Sequence, residues 1–120
     1  MLDAAFWILG FTVAAGLAIG CFYLQERPIR SSARLLSVGH GLLGVTGSTL
    51  FFVSMVAGAS DGNGMGQVAM SLLVGTLIGA AVVVFAQLRR RRPSGLVVAL
   101  HATLGVAGYV ILAAYAFTPH

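Results

Sequence analysis

The sequence predicts an all-α integral membrane protein, a four-transmembrane-helix bundle built as two parallel repeated helical hairpins with both termini outside. Three observations predict it. Of 120 residues, 58% are hydrophobic and only 8% are charged, against about 25% charged in an average soluble domain. A soluble domain this short could not bury so much apolar surface, so the excess faces lipid. Four apolar runs are each long enough to cross a hydrocarbon core of about 30 Å, which takes about 20 helical residues. Finally, one phrase occurs twice: His40-Gly41-Leu42-Leu43-Gly44-Val45-Thr46-Gly47 and His101-Ala102-Thr103-Leu104-Gly105-Val106-Ala107-Gly108 both read H-x-x-L-G-V-x-G.

The first run, 4–24, contains Gly16-x-x-x-Gly20, a spacing that lets helix backbones approach closely in lipid. Its Leu17-Ala18-Ile19-Gly20-Cys21 stretch resembles a lipoprotein cleavage site, but no basic segment precedes the apolar run, so it reads as a retained spanning helix. The single cysteine excludes an internal disulfide framework. A short connection with Glu26, Arg27, Pro28, Arg30 and Arg34 leads to the second run, 35–57, with the first histidine phrase. The turn-rich loop 58–66 follows; its Asp61-Gly62-Asn63-Gly64 core lacks the further carboxylates of a calcium loop. The third run, 67–88, carries Gly75-x-x-x-Gly79, and the arginine run Arg89–Arg92 with Pro93 precedes the fourth, 96–117, with the second histidine phrase. The whole chain, 1–120, is thus a single membrane domain: repeat one over 1–57, the loop 58–66, and repeat two over 67–120.

Charge orients the bundle. All seven basic residues are arginines, and all lie in the two connections that share one side. The opposite side holds Asp3 and Asp61. The positive-inside rule makes the arginine loops cytoplasmic and the termini external, as expected for a multi-pass protein of the bacterial cytoplasmic membrane. The net charge of +4 is therefore a topology signal and implies no nucleic-acid partner; the bilayer is the partner, and a homo-oligomer is compatible with it. Trp7, Tyr109, Tyr115 and Phe117 on the outer side and Tyr23 on the inner fit interfacial aromatic belts. Met55, Met65 and Met70 read as adaptable core or loop residues.

The paired histidines carry the chemistry. An ionisable side chain inside a membrane segment marks a functional site by default. Parallel hairpins place His40 and His101 at one depth, in the inner half of the membrane, near the starts of two helices running the same way. On each helix the histidine shares a face with glycines four and seven residues on: Gly44 and Gly47, then Gly105 and Gly108. Two imidazoles flanking strips free of side chains could clamp a flat cofactor, one haem b per chain, with His40 and His101 as the axial ligands. Arg30, Arg34 and the Arg89–Arg92 run could meet its propionates. Zinc would want four ligands, and no acid lies near that depth. The competing reading keeps both histidines as helix–helix hydrogen-bond or proton-handling groups, bonded to a backbone carbonyl or to Ser37, Thr12, Thr46, Thr76 or Thr103, in a non-redox helper or transport protein. His120 is terminal and without an assigned role.

The His-x-x-Leu-Gly phrase at the start of two spanning helices resembles the haem-bearing helices of transmembrane b-type cytochromes, in particular the four-helix group of ferric reductases and bacterial quinone-linked cytochromes. That resemblance implies electron transfer with a quinone or a redox partner protein. Group members typically hold two haems on four histidines, whereas Thr46–Leu50 and Ala107–Val110 offer no outer pair here. Exchange with membrane quinone or a cytoplasmic donor suits a single inner haem better than transmembrane transfer. The chain also resembles small multidrug transporters in length, but it lacks the carboxylate that those proteins carry in their first membrane helix.

Overall fold

A computed structural model describes residues 1–25, 31–58 and 64–118. They form α1 (Leu2–Leu24), α2 (Ser31–Ala57), α3 (Met65–Leu88) and α4 (Gly95–Ala116). All four are long and apolar enough to cross a membrane, so the all-α four-helix reading of the sequence holds. The bundle measures 47 × 22 × 20 Å, room for a hydrocarbon core of about 30 Å and both interfaces.

Local chemistry sets the helix ends. Ser94, extended at ψ 144°, caps α4 by accepting a hydrogen bond from Val97 N at 3.2 Å, just after Pro93, which cannot continue a helix from the preceding turn. The end of α3 closes in a Schellman pattern: Arg91 N donates to Ala86 O, and Arg90 N to Gln87 O, both at 2.9 Å. This requires a left-handed residue, and here it is Arg90, at φ 54°, instead of the usual glycine. Within the helices, Thr12, Thr49, Ser54, Ser71 and Thr76 each donate their hydroxyl to the carbonyl four residues earlier. Polar side chains are thereby satisfied inside their own helix, as an apolar solvent demands.

Each hairpin packs most extensively on itself, α1 on α2 and α3 on α4. Smaller α1–α4 and α2–α3 seams join the hairpins, and α2 and α4 face each other along a diagonal. The core is two-fold. Ala5 pairs with Ala69, Leu9 with Leu73, Gly47 with Gly108, and Phe51 with Leu112 as the largest fully buried side chains. On α2 and α4 this is the offset of the histidine phrases. On α1 and α3 it is a second repeat, Ala5-x-x-x-Leu9-x-x-Thr12 and Ala69-x-x-x-Leu73-x-x-Thr76. The pairing of Gly16 and Gly20 with Gly75 and Gly79, suggested by their spacing, is five residues out of this register.

The core also lies to one side. Among the described residues, every buried one sits between the terminal end of the bundle and the level of Thr12, Gly47, Leu73 and Gly108. In the half toward the arginine end, where both histidines stand, the described residues are half-buried or exposed. Two ties join α1 to the second hairpin. Phe6 stacks on Tyr109 at 5.4 Å at the terminal end, and Tyr23 Oη donates to Pro93 O at 2.7 Å at the arginine end.

Tyr115 corrects an expectation. It is a core residue, 8% exposed and packed edge-on against Phe51, not part of an interfacial belt. It stands one residue before the end of α4, on the face turned to the core. Trp7 and Phe117 do remain exposed, grouped around Phe6. Met55, Met65 and Met70 pack against the core from its edge.

Candidate functional site: the paired histidines

The site begins with a helix carbonyl in each hairpin. His40 Nδ1 lies 2.9 Å from Thr12 O, and His101 Nδ1 lies 2.9 Å from Thr76 O. A carbonyl only accepts, so Nδ1 is the donor in both rings, and in the neutral form this leaves the lone pair on Nε2. Thr12 and Thr76 turn their own hydroxyls back to Ile8 O and Leu72 O, so neither competes for its imidazole. The same two threonines set the helix spacing: a Cβ on Gly44 would stand 3.4 Å from the Thr12 methyl, and one on Gly105 would stand 3.3 Å from the Thr76 methyl.

Each imidazole is therefore fixed inside its own hairpin, and the hairpins bring the two together. The ring centres are 6.0 Å apart across the α2–α4 diagonal, with planes crossed at 89°. Two imidazoles on opposite sides of one metal stand roughly 6 Å apart, given a bond of about 2.0–2.1 Å and about 1.1 Å more to each ring centre. The separation is compatible with that arrangement, as it is with an edge-on contact between the two rings. Among the described residues, no group of three or more His, Cys, Asp or Glu side chains could hold a metal alone, so a metal here would need further ligands from elsewhere, as a macrocycle could supply. The donor set of two imidazoles, each with its Nδ1 bonded to a carbonyl, suits haem iron.

The glycines that share a face with the histidines are in contact with their own hairpin partners. Gly44, Gly47, Gly105 and Gly108 do not line an open slot. The hairpin partner fills the space over each: Thr12 over Gly44, Leu9 and Ile8 over Gly47, Thr76 over Gly105, and Leu72 and Leu73 over Gly108. The reason is the small-residue packing rule itself, since glycine lets the nearest helix approach, and in a hairpin that is the sequence neighbour.

The sequence reading missed Gly16 and Gly79 as neighbours of the site. A Cβ on Gly16 would lie 2.7 Å from His40 Cε1, and one on Gly79 would lie 3.2 Å from His101 Cβ. The sequence signal was their position after the two threonines, which only the Ala-Leu-Thr repeat would have exposed. Of the suggested propionate partners, Arg30 lies outside the described residues, as does His120. Arg34 falls in the first turn of α2. Arg89–Arg92 are exposed at the same end of the bundle, with the Arg89 guanidinium 4.4 Å over the Phe85 ring. Comparisons with protein-family models, curated proteins and solved structures find no match.

Proposed function

We propose that this chain is a small multi-pass cytochrome of the bacterial cytoplasmic membrane, holding one haem b between His40 and His101. Its partner would be a membrane quinone or a redox protein at the arginine face. The observation that carries this reading is the pair of carbonyl-anchored imidazoles 6.0 Å apart across the bundle diagonal. Haem bound there would supply a one-electron iron couple. The chain's own residues hold and tune the site. Thr12 O and Thr76 O fix both tautomers and make the rings more basic donors. The surrounding apolar helices keep water from the site, a main lever on potential. The Arg34 and Arg89–Arg92 end of the bundle provides cations on the side where propionates would emerge, and the same cations would draw an acidic partner or anionic headgroups.

The Nδ1 bonds alone also suit a second reading, in which both histidines only tie α2 to α1 and α4 to α3 in a non-redox protein. A visible absorption spectrum of the detergent-purified protein, expressed with ample haem, separates the two. We expect a sharp Soret band, with resolved α and β bands after dithionite reduction. His40→Ala and His101→Ala should each lose that low-spin signature. A featureless spectrum, unchanged by added haem, would leave the hydrogen-bonding role as the whole account of both histidines.

A further inference from the structure

The two halves of the site share their hydrogen bonding and differ in the glycine beside each histidine. Both imidazoles bond to a threonine carbonyl, and both helices place that threonine over a glycine four residues after the histidine. The glycine that follows each threonine, however, is differently spaced: Thr12-x-x-x-Gly16 on α1, Thr76-x-x-Gly79 on α3. One residue rotates a position by about 100° around a helix. Gly16 thus lies against the ring itself, its Cβ position 2.7, 3.3 and 3.4 Å from Cε1, Nδ1 and Nε2 of His40. Gly79 lies against the stem of the other side chain, 3.2 Å from His101 Cβ. The first ring is free to lie down on the α1 backbone; on α3 the corresponding position, four residues after the threonine, is Ala80. The planes end up crossed at 89°.

We infer that Gly16 is a positioning residue for His40, and that the one-residue difference between the two threonine–glycine spacings holds the imidazoles crossed in an otherwise two-fold site. This rests on the haem reading above and assigns the site a ligand orientation. Orientation matters because each axial imidazole donates π density perpendicular to its plane. Parallel planes separate the energies of the two iron dπ orbitals, while crossed planes leave them nearly equal.

Electron paramagnetic resonance of the oxidised, haem-loaded protein reads that difference directly. Crossed planes give one strongly shifted low-field feature with broad remaining components; parallel planes give three resolved rhombic features. We expect the crossed signal in the wild type. Gly16→Ala places a methyl against the ring edge and should convert the signal toward the rhombic form, with the α and β bands retained. The paired exchange Gly79→Ala with Ala80→Gly, which gives α3 the spacing of α1, should do the same from the other side, and it keeps composition constant should Gly16→Ala fail to fold. A rhombic wild-type signal would overturn this inference and leave the haem reading standing. So would a crossed signal that persists in both variants. Protein without haem would overturn both.

Discussion

Gly47 is the sharpest test of whether the glycine faces serve packing. A methyl group added there would fall 2.7 Å from Leu9 Cγ, 2.9 Å from Leu9 Cδ2 and 3.1 Å from Ile8 Cγ2. Apolar carbons prefer about 3.5–4.0 Å, so α1 and α2 would have to part by about 1 Å at their tightest point. Overpacking of this kind costs about 1–3 kcal/mol. Gly41, on the same helix, is exposed with nothing within 4 Å of its Cβ position. Alanine raises helix propensity by about 0.5–1 kcal/mol at either position, so that gain cancels between the two variants. Gly47→Ala should therefore be less stable than Gly41→Ala by about 1–3 kcal/mol in reversible detergent unfolding followed by circular dichroism. Leu9→Ala should recover part of the loss when combined with Gly47→Ala, giving a favourable coupling in the double-mutant cycle. Equal stabilities for the two alanine variants would refute the packing assignment and reopen the glycine strip as ligand space.

Two further outcomes test other parts of the structure. Tyr23→Phe removes the 2.7 Å hydrogen bond to Pro93 O and should cost about 0.5–1.5 kcal/mol in the same unfolding assay; an unchanged stability would mean that the tie at the arginine end contributes nothing. A reporter fused after His120 should be active only outside the cytoplasm, because all seven arginines lie toward the other face; cytoplasmic activity would invert the orientation.

The four helices were legible because bilayer thickness imposes a length that hydropathy detects directly. Their ends were less so. The apolar run that begins at Leu35 belongs to a helix that begins at Ser31, because hydropathy marks where lipid begins, and a helix can carry a polar turn beyond it. The histidine phrase was legible because histidine is rare in such a chain and five identities recur in register. Its partner on α1 and α3 was not, because Ala, Leu and Thr are common and the more conspicuous glycine pairs suggested another register. Thr12 and Thr76 stood among the candidate partners of the histidines, but they act through their carbonyls. Every residue has a carbonyl, so which one an imidazole reaches depends on helix rotation and not on residue type.

The duplication separates two tasks that one core usually performs together. Each imidazole is bonded within its own hairpin, so half a site is complete as soon as a single hairpin closes. Bringing the halves together is the work of the terminal end, where Phe51, Leu112 and Tyr115 form part of a common core. At the arginine end no buried side chain joins the hairpins among the described residues, and the Tyr23–Pro93 bond is peripheral. A metal bonded to His40 and His101 would cross-link α2 to α4 in that half, supplying between hairpins the adhesion that packed side chains supply at the other end. On the haem reading, cofactor and core are thus complementary in position: the side chains hold one half of the bundle together, and the ligand between the histidines holds the other.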